Sequence, residues 1–427
     1  MLDKLQDKLL DLAALVDENV YLSSIRAAFT DFVPFIIVGS FSTLLSILVS
    51  GDNGLARWIP VLKELAPAFS MISFVTISTM TISIVFLIAM NIASYQEMPR
   101  FITGVAALAT YLLVGPTSIR FEGADVSISG LGSSVLGAQG LFVGMIIAIV
   151  STQVLRKLMS IEAIKIKLPS SVPHGIAVSF NTLIPIFILL VSFAIFGYVF
   201  YLATDSYLNT WIYNIVQVPL QIAFQSPIGV ILMAIVNQVF WFLGVHGGMV
   251  IEPIRGPISA AAISENIALF NMNQAPINVL TRGFWTSFVV LGGGGITISL
   301  IFAILRFSKR EDYRAISKLS LLPGISGINE PIIFGLPLVL NPIFAIPFIF
   351  NSSIAATIAL IATKLNFISP GIFDVPPGIP MFINGFIGYG WQGVVVQIII
   401  FVVTFFVWTP FVLLSNKNIE KEKDNSK

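Results

Sequence analysis

Cysteine is absent from the 427 residues. Disulfides, thiolate metal sites and cysteine nucleophiles are therefore excluded. Histidine is nearly absent too: only His174 and His246 occur, so no multi-histidine metal site is expected. Charge is scarce. Only 11% of residues are Asp, Glu, Lys or Arg, against about 25% in soluble domains, while 56% are hydrophobic. The net charge of +1 and the short basic tracts give no reason to expect a nucleic-acid partner. A phosphate-binding loop is missing as well. Gly292 to Gly295 is not followed by Gly-Lys-Ser or Gly-Lys-Thr, so ATP-driven transport by this chain is not expected. No short apolar core with a cleavage site precedes the first apolar run, so the first span is expected to act as the insertion signal.

What is present is a series of apolar runs long enough for membrane helices of ~20 residues. The expected fold is an all-α integral membrane protein. It has about ten transmembrane helices, re-entrant hairpins and amphipathic interfacial helices, with membrane lipid as its surroundings. Met1 to Phe29 reads as a helix on the membrane surface, with Leu2, Leu5, Leu9, Leu12 and Val16 on one face. Ser206 to Gln225 is a second amphipathic candidate. Spans are expected at 32–50, 69–93, 101–119, 137–156, 172–203, 228–245, 283–307, 342–363 and 390–414. Met249 to Arg282 is mixed and broken, either a re-entrant element or a poor crossing. The basic segments Arg156 to Lys167, Arg306 to Lys318 and Lys417 to Lys423 are expected in the cytoplasm, with both termini. Conventional spans fill residues 1–203, while 204–427 concentrates Pro, Asn, His and Glu in broken segments. The first part reads as a scaffold half and the second as a transport half.

One stretch stands out: Gly327-Ile328-Asn329-Glu330-Pro331-Ile332-Ile333-Phe334-Gly335-Leu336-Pro337. It is apolar, interrupted by Gly and Pro, and carries one carboxylate. A carboxylate at membrane depth is costly unless something pairs with it. Irregular backbone there is tolerated only where protein covers it or a wet cavity faces it. Between Arg306 and the tail only two full crossings fit. The segment is therefore expected to enter and leave on one side, as a re-entrant hairpin lining a polar site.

Glu330 is the leading candidate, able to accept hydrogen bonds from two hydroxyls. The alternative is a structural pair with an arginine such as Arg282. Asn329 beside it offers a donor and an acceptor. His246 sits in Trp241-Phe242-Leu243-Gly244-Val245-His246-Gly247-Gly248, where Gly247 and Gly248 allow close approach of backbone or ligand. An imidazole there can take a proton from a hydroxyl. Trp241 and Trp391 are plates that either stack on a sugar ring or anchor at the lipid interface. Asn278 and Gln139 are hydroxyl partners or helix caps. His174 reads as a surface residue. No metal or cofactor is expected.

Gly-Ile-Asn-Glu-Pro-Ile-Ile-Phe-Gly-Leu-Pro (327–337) and Gly-Val-His-Gly-Gly (244–248), with Ile25-Arg26-Ala27-Ala28-Phe29, Pro34 to Ser40 and Phe284-Trp285, resemble the membrane permease, enzyme IIC, of the bacterial sugar phosphotransferase system. The resemblance covers essentially the whole chain. It points to the lactose, cellobiose and diacetylchitobiose branch, most of all to permeases for N,N'-diacetylchitobiose. It implies a homodimer in the bacterial cell membrane, with the first half at the interface and the second holding a disaccharide. Glu330 and His246 match the family's sugar-contacting residues. The sugar would be phosphorylated by a separate IIB protein at the cytoplasmic face, which in this branch carries its phosphate on cysteine. On this reading the chain is a transporter subunit rather than an enzyme. Glu330 and Asn329 hold hydroxyls, and His246 orients or deprotonates the acceptor. A proton-coupled secondary sugar transporter is the alternative.

Overall fold

The computed structural model describes residues 18–50, 55–120, 127–166, 172–336, 338–376 and 378–425, with residues 14 and 169. The surface helix expected over Met1 to Phe29 lies largely outside them, and so does Pro337. Two compact units divide the chain, Asp17–Gln221 and Ile222–Lys427.

The first unit is a bundle of α1 (Val20–Ser50), α2 (Met80–Tyr95), α3 (Arg100–Leu113), α4 (Leu141–Met159) and α5 (His174–Thr204). Small residues let these helices approach. A methyl at Gly144 of α4 would stand 2.7 Å from Val85 of α2. The segment before α4 is irregular, and side chains satisfy its carbonyls. Tyr111 donates to the Val135 oxygen (2.5 Å), Thr81 to Gly137 (2.7 Å), Asn209 to Ser134 (2.6 Å) and Gln217 to Ala138 (2.9 Å). An apolar medium supplies no water for such groups, so the protein must. After α3, two short antiparallel strands pair, Ser118–Arg120 with Ser127–Ser129.

The second unit holds α6 (Pro227–Phe242), α7 (Gly247–Asn271), α8 (Thr297–Phe307), α9 (Glu311–Ile325), α10 (Glu330–Gly335), α11 (Ala345–Lys364) and α12 (Ile383–Asn425). Helix α11 lies against α6 and α12, and α8 packs on α9 and α12. The run 283–307 is not one straight helix. A π-helical turn, Trp285–Val289, is followed by left-handed backbone at Gly292, Gly293, Gly295 and Ile296 before α8 begins. Likewise α12 is broken at Gly390, where φ is +68°.

One expectation changes here. Met249 to Arg282 is not broken along its length. Gly247–Asn271 is a single 25-residue helix despite Pro253 and Pro257, and most of it is buried. Prolines persist in such helices because neighbours satisfy the freed carbonyls. Among the described residues, seven helices are long and apolar enough to cross a membrane, or eight if Leu208–Gln225 and Pro227–Phe242 form one broken span. Helices α2 and α3, of 16 and 14 residues, fall within the spans expected at 69–93 and 101–119, and each is shorter by itself than the ~20 residues of a straight crossing. The helices around Gly327 are shorter than a crossing too. Helices α9 and α10, of 15 and 6 residues, reach about 22 and 9 Å at 1.5 Å per residue, against a hydrocarbon core of about 30 Å.

Tyr111 is 1% exposed, and removing its hydroxyl strands a buried carbonyl. Tyr111→Phe should cost about 1–3 kcal/mol, read as a lower melting temperature in detergent. An unchanged melting temperature would show that the stitched segment does not support the first unit.

Candidate functional site

Two segments of the second unit share one local design. Helix α6 ends at Gly244 (φ +85°), where Val245 N–H bonds back to Phe240 O and Gly244 N–H to Trp241 O. Helix α9 ends at Gly327 (φ +83°), with Ile328 N–H bonding to Pro323 O. A left-handed glycine with this back-bond closes a helix and turns the chain. In each case a new helix begins three residues later. The first starts behind His246 and the second at Glu330. The Gly-Val-His and Gly-Ile-Asn-Glu sequences are thus equivalent corners, each presenting one polar side chain at a fresh helix N-terminus.

The corners meet. His246 Nε2 lies 3.9 Å from Glu330 Oε1, and the two side chains are 45% and 46% exposed. That gap is too long for a direct hydrogen bond. It is short enough for one hydroxyl oxygen to reach both atoms at about 2.8 Å. His246 is the N-cap of α7, its Nδ1 accepting the Met249 N–H at 3.2 Å. The cap uses the Nδ1 lone pair, so the neutral ring carries its proton on Nε2, the atom that faces Glu330.

The other candidates take different positions. Trp241 is 4% exposed and lies against the His246 ring, centroids 4.3 Å apart. It backs the imidazole rather than offering an open plate. Gly247 is a packing glycine, since a methyl there would fall 1.9 Å from Asn237 O. Asn329 is 5% exposed and turned inward, its Cβ 2.5 Å from where a Gly293 methyl would be. Asn278 belongs to a separate polar network. Its amide donates to Glu265 (2.9 Å), and Asn266 bridges Asn278 to the Gly371 oxygen. Trp391 is 59% exposed and meets Phe367 edge-on beside the Gly390 break. Near it is an open cavity of about 530 Å³ lined by Phe270, Asn366, Tyr389 and Gln392 among others, and neither His246 nor Glu330 reaches it. Gln139 is exposed and belongs to the first unit.

Arg282 pairs not with Glu330 but with Glu252 of α7, at 2.6 Å. Glu252 also binds Arg255, whose guanidinium lies 5.1 Å from the centre of the Trp285 ring. Asp374 accepts the Gly283 N–H at 2.7 Å; burial pushes its carboxyl up to about 6, against the opposing pull of Arg282. Arginine is thereby consumed in a buried network, and Glu330 keeps its carboxylate for another partner. Two residues escaped the sequence reading: Asn237 and Gln238, adjacent carboxamides that α6 buries at 1% and 0% exposure behind the His246 corner. Their signal was a pair of amides inside an otherwise apolar run.

Residues 26–352 match the family model for the phosphotransferase system EIIC. The chain is 31% identical over 431 residues to the oligo-beta-mannoside-specific EIIC component of Bacillus subtilis, covering 100% of this chain and 97% of that one. It is 30% identical to a cellobiose-specific EIIC component of Geobacillus stearothermophilus, covering 98% and 95%. A lactose-specific EIICB component of Staphylococcus haemolyticus is 27% identical over 96% of this chain and 70% of its own length. The crystal structure of the transporter ChbC, the IIC component from the N,N'-diacetylchitobiose-specific phosphotransferase system, superposes with a TM-score of 0.91. Identity is 29%, and coverage is 98% of this chain and 99% of that one. The chain belongs to the phosphotransferase system EIIC family: it is a multi-pass membrane permease, a transporter subunit of that system.

Arg282→Met removes one partner of a buried carboxylate. It should destabilise the protein by about 3–5 kcal/mol, measured by thermal unfolding in detergent. A loss below about 1 kcal/mol would mean that Glu252 is satisfied by Arg255 alone.

Proposed function

We propose that this permease carries a disaccharide of the N,N'-diacetylchitobiose or cellobiose type and presents one hydroxyl for phosphorylation by a separate IIB protein at the cytoplasmic face. The observation that carries this is the 3.9 Å gap between His246 Nε2 and Glu330 Oε1. A hydroxyl has one proton to give and lone pairs to accept with. The His246 Nε2–H donates to its oxygen while its own proton points to Glu330. Both contacts orient an oxygen lone pair toward an incoming phosphoryl group. Such transfer depends chiefly on positioning. The helix cap supports a reading in which His246 is the donor of this pair and Glu330 the proton acceptor, with His246 orienting rather than deprotonating. The proton moves to Glu330 as the sugar oxygen bonds to phosphorus and the bond to the partner's sulfur breaks.

Relatives named for β-mannosides, cellobiose, lactose and diacetylchitobiose support a disaccharide-sized cargo. The EIICB name supports a IIB partner. The basic segments support cytoplasmic termini. The family resemblance supports a homodimer built on the scaffold half, residues 1–203, and light scattering that finds one chain per particle in mild detergent would exclude it.

Calorimetry on the purified protein with diacetylchitobiose, cellobiose and lactose would identify the cargo, and binding of none of them at millimolar concentration would refute the substrate class. Glu330→Gln should weaken binding of the preferred sugar about ten-fold or more, the loss of a charged acceptor. His246→Asn keeps a cap for α7 but cannot reach Glu330. It should lower phosphoryl transfer more than sugar binding, and equal losses would reduce His246 to a binding group. Uptake into vesicles that needs a proton gradient but no phosphorylated IIB would favour the proton-coupled alternative.

A further inference from the structure

Four consecutive glycines, Gly292 to Gly295, interrupt the second unit beside the site, and the space above each is occupied. A methyl at Gly292 would strike Ile298 at 2.3 Å. At Gly293 it would meet Asn329 at 2.5 Å, at Gly294 the Gln238 Oε1 at 2.7 Å and Asn329 Nδ2 at 3.3 Å, and at Gly295 the Phe348 ring at 2.6 Å and Gln238 Nε2 at 2.9 Å. Gln238 and Asn329 therefore lie in a saddle of bare backbone. Gln238 is fixed at both ends. Its Nε2 donates to Phe348 O at 3.1 Å, and its Oε1 accepts from Asn237 Nδ2 at 2.8 Å. Asn237 in turn abuts the other corner. A methyl at Gly247 would fall 1.9 Å from its carbonyl oxygen and 3.0 Å from its Oδ1.

We infer that Asn237 and Gln238 are positioning residues that set the distance between His246 and Glu330. They are consecutive on α6 and joined by one amide hydrogen bond. Asn237 bears on the backbone just after His246. Gln238 bears, through the glycine saddle, on the residue just before Glu330. Neither side chain is exposed, so neither touches a sugar; each acts through the corner it holds. The catalytic atoms sit on two separate helix starts, and without such a brace each start would choose its own position. A displacement near 1 Å at a reacting group costs on the order of 100-fold in rate.

The test uses Gln238→Met, of similar length but without the amide, and Asn237→Leu, which breaks the same hydrogen bond from the other side. Amide hydrogen exchange of the full chain in detergent is read at Met249, Val250 and Ile333, whose N–H groups are hydrogen-bonded at the two helix starts. Both helix starts should exchange about ten-fold faster in either variant, with α4 of the first unit unchanged. Unchanged exchange at both starts, or a change confined to residues 227–242, overturns the inference. This arm needs no sugar. A second arm rests on the permease reading, with cellobiose as the probe and phosphorylated IIB as the donor. Transfer should fall about 30-fold while cellobiose affinity stays within about three-fold. A parallel fall in affinity and transfer would assign the pair to binding instead. If the wild type handles no cellobiose, the permease reading of the substrate fails and the exchange result still decides the positioning role.

Discussion

The second unit depends on keeping broken backbone satisfied without water. An uninterrupted helix meets its own hydrogen-bond needs, whereas a corner leaves carbonyls and N–H groups to be matched by something else. At the glycine saddle the matches are individual. Ser352 accepts the Gly295 N–H, Trp408 donates to the Gly295 oxygen, and Thr297 donates to the Gly292 oxygen. These come from three different helices, α11, α12 and α8, so the break also fastens them together. A methyl on Gly293 or Gly295 would be doubly excluded, by positive φ and by collision.

The chemistry sits where the chain turns for the same reason. A helix interior cannot point two polar side chains from different segments at one small oxygen, but two helix starts can converge on it. The corners at Gly244 and Gly327 produce that convergence and stay half-exposed while their supports are buried. His246 gains a second role from its place, since capping α7 with Nδ1 leaves Nε2 as the ring nitrogen that faces Glu330. Arg255 and Arg282 are both held by Glu252, which withholds them from Glu330.

Exposure divides these residues. His246 and Glu330 are half-exposed, Trp241 backs the imidazole, and Asn237, Gln238 and Asn329 lie buried behind. The proposed role asks only geometry of the permease, with the phosphoryl donor on a IIB component. A chain without cysteine has no thiol of its own to carry that group.

The sequence by itself determined the membrane class, the exclusion of cysteine chemistry, the family, and Glu330 and His246 as leading candidates. These follow from composition and from short motifs, which survive without coordinates because hydropathy and Gly/Pro placement act locally. Their meeting was not legible: 84 positions separate them, and nothing local measures a distance of 3.9 Å. The continuity of Gly247–Asn271 was hidden for a related reason. Its two prolines argue for a break, and only the surrounding helices override them. The inward turn of Asn329, the choice of Glu252 as the partner of Arg282, and the use of Gly292 to Gly295 as a saddle for Gln238 were likewise decided by tertiary packing. A glycine run announces that something comes close, but only the folded chain decides what does.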